Sequence, residues 1–199
     1  MEEININSRG SYGTSKDKAL TPNERTQILK KLEGKYKIIF ILGAYGGLRV
    51  GEIAQCRKSW LKRINFDNKE VLGISIPAEC RDIKNQYKIW RPKTKRERTT
   101  YLFTPEVYAD VEAFFNYCDD IKLSVRGIQD ISYKQFGVNI HSLRATAQNY
   151  FKYELNMPTE IIAVMLGHRD VRTTLQHYTS LNTAQAESFL INHWKEKSK

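Results

Sequence analysis

An apolar segment from Lys35 to Ala44 most constrains what this chain can fold into. Five consecutive residues, Ile38-Ile39-Phe40-Ile41-Leu42, leave it without a polar face, so a helix here must be buried on all sides. The glycine pair Gly46-Gly47 ends that helix, and Leu48–Ile53 begins another short one. We therefore predict a central core helix, followed at once by a sharp turn that carries Arg49.

The position of Arg49 needs an explanation, because an unpaired charge beside the most buried helix would cost several kcal/mol or more. One interpretation is a structural ion pair with Glu52, three residues along the chain. The other is an arginine directed at a bound phosphate, with Glu52 as an orienting group. This segment alone favours neither.

Helical patterns account for most of the remaining sequence. The segment Thr21-Pro22-Asn23-Glu24 is a capping box with proline at the first helical position, and it predicts a helix to about Leu32 that Gly34 ends. After Pro105, apolar residues recur at helical spacing at Val107, Val111, Phe114 and Phe115. Further helices are predicted over 132–136 and 141–154, from Met157-Pro158-Thr159 to Leu166, after Asp170, and from Thr183 onwards.

Three short β-branched or aromatic runs predict antiparallel strands at Val71–Ile76, Tyr87–Trp90 and Thr99–Phe103. The predicted fold class is therefore mainly α with a small three-stranded antiparallel β-sheet, in one domain. Between the last two strands lies the basic turn, residues 91–98, with five basic residues among eight. It is either a solvated hairpin tip or a DNA contact. We favour DNA, since so many cations call for an anion, and the candidate contacts are Arg91, Lys95, Arg96 and Arg98.

The overall charge agrees with such a partner. The chain has 32 Lys and Arg against 22 Asp and Glu, a net charge of +10, which favours a polyanion such as nucleic acid over a merely soluble basic protein. Its three cysteines lack metal-ligand spacing, which predicts reduced thiols in a cytosolic protein. The sequence contains neither an apolar run long enough to span a membrane nor a signal-peptide pattern. We expect a soluble protein in the cytoplasm or nucleoid of the host cell.

A group of candidate catalytic residues lies near the C-terminal end. His141 and Arg144 are three positions apart and share one face of the predicted 141–154 helix. Gly167 is predicted to end the helix that runs to Leu166, with His168 just beyond it. Tyr178 follows ten residues after His168. Two histidines, an arginine and a tyrosine around one pocket suit the binding of a phosphodiester and its attack by a phenol.

In that chemistry, Arg49 and Arg144 would clamp the non-bridging phosphate oxygens with paired donors. His168 would donate one more hydrogen bond. The Tyr178 hydroxyl would be the nucleophile, and its ordinary pKa of about 10 requires a base, for which His141 is the candidate.

The leaving 5′-oxygen needs a proton, which either Lys93 or Lys95 on the basic turn could supply. A phosphotyrosyl link conserves the energy of the broken bond, so the reaction requires neither ATP nor a metal ion. We therefore predict no cofactor.

Four motifs together resemble the catalytic domain of the tyrosine recombinase family, which includes the integrases of phages and viruses. They are Gly47-Leu48-Arg49-Val50-Gly51-Glu52, His141-Ser142-Leu143-Arg144, Leu166-Gly167-His168 and Tyr178. The resemblance implies DNA strand cleavage through a 3′-phosphotyrosine with a free 5′-hydroxyl, followed by rejoining to another strand. It also implies double-stranded DNA as partner and a homotetramer on DNA formed from free monomers. The Lys-x-x-Lys/Arg-Glu-Arg pattern of the family favours Lys93 over Lys95.

The resulting domain prediction has three parts: a flexible lead-in or linker over 1–20, the catalytic domain over 21–182, and a C-terminal helix or tail over 183–199 that is a candidate for docking on a neighbouring protomer. The family usually carries an N-terminal helical domain as well, so we expect this chain to be the catalytic half of an integrase from a mobile element. Two alternatives stay open: a type IB topoisomerase-like activity that rejoins the same strand, and a DNA-binding derivative without catalysis.

Overall fold

The computed structural model describes residues 19–66 and 69–168. The α-helices in these ranges are α1 (Pro22–Lys31), α2 (Gly34–Ala44), α3 (Val50–Gln55), α4 (Pro105–Tyr117), α5 (Val125–Phe136), α6 (Ile140–Asn149) and α7 (Thr159–Leu166). The strands are β1 (Leu61–Phe66), β2 (Lys69–Ile76), β3 (Cys80–Arg81), β4 (Ile89–Trp90) and β5 (Arg98–Leu102). A 3₁₀ turn at Lys58–Trp60 precedes β1, and a π-helical turn at Tyr150–Glu154 extends α6.

The central helix is α2, as its apolar sequence predicts. Every residue from Ile38 to Ala44 is buried, and α2 packs against α4, α5 and α6. Phe40 meets Phe136 of α5 edge to face, with ring centroids 5.2 Å apart. The prediction of a central core helix is confirmed.

Helix α1 begins with the predicted capping box. The Thr21 hydroxyl accepts a hydrogen bond from the Glu24 amide at 3.3 Å, and the Glu24 carboxylate accepts one from the Thr21 amide at 2.8 Å. The helix ends at Lys31, close to the predicted end. Gly34 does not end it, however: with a φ of 51° it begins α2, so two helices follow each other almost directly.

The sheet has three antiparallel strands in the order β1-β2-β5, which confirms the predicted fold class but not every strand. The predicted strand Tyr87–Trp90 is wrong as a member of this sheet. Only Ile89–Trp90 is extended, and it pairs with β3 as a separate hairpin between β2 and β5. The true third strand is β1, at the edge of the sheet, where exposed charged residues interrupt the alternating apolar pattern.

In the C-terminal half, two helices differ from their predictions in length or in type. Helix α5 has twelve residues where the sequence predicted only 132–136, and the Ser124 hydroxyl caps it by accepting a hydrogen bond from the Gly127 amide at 3.0 Å. The predicted 141–154 helix is α6 together with the π-helical turn. Helix α7 ends where predicted, at Gly167 in the left-handed conformation.

Cys56, Cys80 and Cys118 are free thiols. Within the described ranges, no helix combines the length and the apolar character that a membrane crossing requires. The predicted helices after Asp170 and from Thr183 lie outside the described residues, as do Tyr178, the whole predicted tail and most of the predicted lead-in.

Candidate active site

Two tight turns meet on one side of the core. Gly47, in the turn between α2 and α3, has a φ of 65°, and a Cβ atom there would lie 2.3 Å from a methyl carbon of Leu166. Gly167, which follows α7, has a φ of 61°, and a Cβ atom there would lie 2.8 Å from Cδ of Arg98. Only glycine permits both conformations at such close approach, so these two residues bring the start of α3, the end of α7 and β5 together.

Arg49 lies at the start of α3 and forms the ion pair with Glu52 that was one interpretation of its sequence. Its Nη1 forms an ion pair with Oε1 of Glu52 at 3.2 Å, and its backbone amide donates to Oε2 of the same carboxylate at 2.7 Å. Its Nη2 donates to the Gly167 carbonyl at 2.9 Å. The Arg49 side chain nevertheless stays 21% exposed whereas Glu52 is 1% exposed, so the guanidinium faces outwards from a buried carboxylate.

Arg144 approaches the same turns from α6. Its Nη1 donates to the carbonyl of Gly47 and its Nη2 to the carbonyl of Leu166. These two bonds use two of the five N–H donors of a guanidinium. The backbone of both turns therefore fixes Arg144 beside Arg49 and leaves donors of Arg144 for a ligand.

Arg98 does not lie where the sequence placed it. We predicted an exposed DNA contact, but the residue is 5% exposed. Its Nη2 forms an ion pair with Oε2 of Glu52 at 2.5 Å, and its Nη1 donates to the carbonyl of Met165. The prediction of a surface contact is therefore wrong, because Arg98 belongs to β5 and points into the protein rather than out of the basic turn.

Two guanidinium groups, those of Arg49 and Arg98, thus pair with one buried carboxylate, and Arg144 lies close to all three. Burial lowers the pKa of Arg144 to about 9, and the positive charges of Arg49 and Arg98 contribute to this shift. Burial is also the main cause of a lowered pKa at Arg98, which Glu52 partly offsets. Counted as three guanidinium groups and one carboxylate, the cluster of Arg49, Arg98, Arg144 and Glu52 has a formal net charge of +2. A region with such an excess of buried positive charge is suited to bind an anion.

The basic turn lies next to this cluster. A methyl group of Thr94 would lie 3.6 Å from a Cβ atom at Gly167, so the turn contacts the end of α7. Lys93 and Lys95, on either side of Thr94, are exposed, and Lys95 adopts a φ of 53° in a turn closed by its amide donating to the Pro92 carbonyl. Both candidate lysines are therefore near the cluster.

The remaining cations of the basic turn are at the surface. Arg96 is exposed. Arg91 is exposed as well, and its guanidinium forms an ion pair with Glu79 at 2.8 Å, which reduces the charge it offers to a ligand.

The two candidate catalytic histidines, His141 and His168, lie on different elements. His141 is exposed near the start of α6, one turn before Arg144, and its amide donates to the Asn139 side chain at 2.6 Å. His168 is exposed directly after Gly167, whose carbonyl binds Arg49. The structure thus brings Arg49, Arg144 and His168 close together through the Gly167 turn. Tyr178 lies outside the described residues.

Neither a model of a known protein family nor a curated protein sequence matches the chain. Solved structures do. XerA recombinase superposes with a TM-score of 0.56 over 94% of this chain at 16% identity. The integrase of transposon Tn1549, bound to transposon right-end DNA, superposes with a TM-score of 0.53 over 96% of this chain at 18% identity. XerH recombinase bound to its difH substrate superposes with a TM-score of 0.53 over 87% of this chain at 14% identity.

The chain has the fold of a tyrosine recombinase catalytic domain. The resemblance of its motifs is therefore confirmed at the level of the fold. The chain spans 65% of the XerA chain, 70% of the Tn1549 integrase chain and 53% of the XerH chain.

Sequence reasoning missed the inward position of Arg98. Arg98, Thr100 and Leu102 alternate along β5 and are all buried, so they lie on one face of the strand. Thr100 donates from its hydroxyl to the Gly46 carbonyl at 2.8 Å. Tyr101 on the opposite face is also buried, so burial does not alternate along β5 and a period-two pattern alone does not place Arg98 inside.

Proposed function

We propose that this protein is a site-specific DNA recombinase, an integrase that cleaves and rejoins DNA through a 3′-phosphotyrosine intermediate. The observation that carries the proposal is the pair of guanidinium groups of Arg49 and Arg144, held by the backbone of two turns within a cluster of net charge +2. The fold, shared with recombinases solved with DNA, supports the same function.

In the proposed reaction, Arg49 and Arg144 bind the non-bridging oxygens of the scissile phosphate, and His168 donates a further hydrogen bond. The transition state is a five-coordinate phosphorus with more negative charge on these oxygens than the ground state has. Fixed donors stabilise that charge without reorganisation, which lowers the barrier. Glu52 orients Arg49 by accepting from both its side chain and its backbone amide.

The covalent step exchanges one phosphoester bond for another. The Tyr178 oxygen forms a bond to phosphorus while the bond between phosphorus and the 5′-oxygen breaks. His141 accepts the phenolic proton, and Lys93, with Lys95 as the alternative, donates a proton to the leaving 5′-oxygen. Attack of a 5′-hydroxyl from another strand reverses these steps and releases Tyr178. The number of phosphoester bonds is conserved, so the proposed reaction uses no cofactor.

Double-stranded DNA is the proposed partner. Arg91, Lys95 and Arg96 are exposed on the basic turn, beside the cluster, where they suit contacts to the phosphates that flank the cleaved one. We further propose that residues 21–182 form the catalytic domain, that 1–20 is a lead-in, and that 183–199 docks on a neighbour. The active form would be a homotetramer on DNA, assembled from monomers in the cytoplasm or nucleoid of the host of a mobile element.

Covalent trapping tests the proposal. The protein is incubated with a nicked duplex of the element's own end sequence, in which cleavage releases a short strand and prevents rejoining, in the presence of EDTA. We expect a protein–DNA adduct on denaturing gels and a peptide map that places the DNA on Tyr178. The Tyr178→Phe variant should bind the duplex equally well and form no adduct.

The outcomes separate the alternatives. An adduct on another residue would move the nucleophile away from Tyr178. Tight DNA binding without an adduct would indicate a DNA-binding protein without catalysis. On circular DNA with two sites, exchanged flanking sequences indicate a recombinase, whereas relaxed circles with unchanged flanks indicate a topoisomerase.

A further inference from the structure

Arg98 is bound on two sides at the centre of the site. Its guanidinium connects Glu52 of α3 with the Met165 carbonyl at the end of α7, and its Cδ touches the place where a side chain of Gly167 would be. The residue is the last of the basic turn and the first of β5. Arg98 therefore joins the strand that follows the candidate lysines to both turns that hold Arg49 and Arg144.

Its second feature is electrostatic. Glu52 is 1% exposed and accepts from two arginines, Arg49 at 3.2 Å and Arg98 at 2.5 Å. Without Arg98, the carboxylate would neutralise Arg49 alone, and the cluster would keep a net charge of only +1. With Arg98 present, its positive charge offsets the negative charge of Glu52, and the charges of both Arg49 and Arg144 remain for a ligand.

We propose that Arg98 is a positioning residue that neutralises Glu52, so that Arg49 and Arg144 present two uncompensated charges to the scissile phosphate. This inference rests on the proposed function. A five-coordinate phosphorane bears about two negative charges, so the cluster matches the transition state better than it matches the singly charged phosphodiester. Such a difference in complementarity accelerates the chemical step rather than binding.

Charge-matched variants test this role. Arg98→Met removes one positive charge, and the double variant Arg98→Met with Glu52→Gln restores the net charge to +2, while glutamine still accepts from the Arg49 amide as in a capping box. Arg63→Met is the control, since Arg63 pairs with Glu70 and Glu112 at the surface outside the site. The readouts are the single-turnover rate of cleavage at saturating protein and the melting temperature.

We expect Arg98→Met to lower the cleavage rate about 100-fold, with DNA affinity changed less than about threefold. The double variant should cleave about tenfold faster than Arg98→Met, although both variants lack the bond to the Met165 carbonyl. A purely structural role predicts no recovery, because both variants lose the same packing. The control should cleave within about twofold of the wild-type rate.

A second variant covers the case in which Arg98→Met does not fold. Arg98→Lys keeps the charge and loses the two-sided contact, so it should retain at least about a tenth of the wild-type rate. Loss of all cleavage by a folded Arg98→Lys would contradict the charge argument. So would a double variant no faster than Arg98→Met, or an Arg98→Met variant as fast as the wild type.

Pyrophosphate binding, measured by calorimetry, distinguishes this inference from the proposed function. The affinity should fall about tenfold or more in Arg98→Met and return in the double variant. If the wild type formed no DNA adduct yet the pyrophosphate affinities followed this order, the proposed function would fail and the role of Arg98 would stand. If the wild type cleaved DNA and the affinities were equal, the role of Arg98 would fail alone.

Discussion

Helix α2 ends a few residues before Arg49 and Glu52 of the arginine cluster, but the core around α2 and the cluster are stabilised in opposite ways. The residues Ile38–Ala44 are buried among apolar side chains and carry no charge. The cluster is nearly as buried at Glu52 and Arg98, yet it contains three guanidinium groups and one carboxylate. The core is complete without a ligand, whereas the charge of the cluster is balanced only when an anion binds.

This comparison predicts which substitutions affect folding and which affect chemistry. A change in the core should lower the free energy of unfolding. A change in the cluster should lower the rate of cleavage more than it lowers stability.

The largest effect on stability should come from Phe40→Ala. Phe40 is 0% exposed and contacts Phe136 edge to face, so its removal leaves a cavity at the centre of the core. We expect a loss of about 3–5 kcal/mol in the free energy of unfolding, measured by urea denaturation. The control is Tyr117→Ala, at a residue that is 92% exposed, which should change this free energy by less than about 0.5 kcal/mol. Equal losses in both variants would contradict the placement of the core.

The largest effect on chemistry should come from Arg144→Lys. A lysine keeps the charge but lacks the paired donors of a guanidinium. It therefore cannot bind the carbonyls of Gly47 and Leu166 and a phosphate at the same time. We expect the single-turnover cleavage rate to fall by about 100- to 1000-fold, with DNA binding nearly unchanged. The surface variant Arg63→Lys should cleave normally. Near-normal cleavage by Arg144→Lys would remove this residue from the phosphate clamp.

A smaller effect should appear when the free protein binds an anion. Sulfate at about ten times its dissociation constant should stabilise the fold by about 1.4 kcal/mol through mass action, measured as a shift in melting temperature. Because sulfate also stabilises proteins in general, the quantity compared is the difference between the wild type and Arg49→Met. An equal shift in both proteins would mean that the cluster does not bind the anion.

The smallest effect is the pH dependence of this difference. In the free protein, burial and neighbouring positive charges lower the pKa of Arg144 to about 9, and only its protonated form attracts sulfate. Bound sulfate favours the charged form and raises this pKa. The stabilisation by sulfate should therefore be complete near pH 7 and should weaken as the pH rises above about 9. A shift in melting temperature that stayed constant from pH 7 to pH 10 would contradict the assignment.

The sequence predicts the core and part of the site because those residues form local patterns. The apolar run of α2, the capping box at Thr21 and the glycine that ends α7 each act within a few residues, and all three occur where predicted. The edge strand β1 escaped prediction because exposed charged residues interrupt its alternating pattern.

The location of Arg98 depends on contacts that no short pattern contains. Arg98 meets Glu52 from 46 residues away and Met165 from 67 residues away. A basic neighbourhood from 91 to 96 made a surface role the natural expectation, and the fold reversed it. The paired roles of Arg49, with Glu52 on one side and an outward face on the other, likewise needed the structure.

The most direct test of the central claim is a crystal structure of the Tyr178→Phe variant bound to its nicked DNA substrate. We predict that the scissile phosphate lies between the guanidinium groups of Arg49 and Arg144, with hydrogen bonds from both to its non-bridging oxygens, and that Arg98 stays on Glu52 without touching the DNA. DNA bound only along the basic turn, with every phosphate remote from Arg49 and Arg144, would contradict the account.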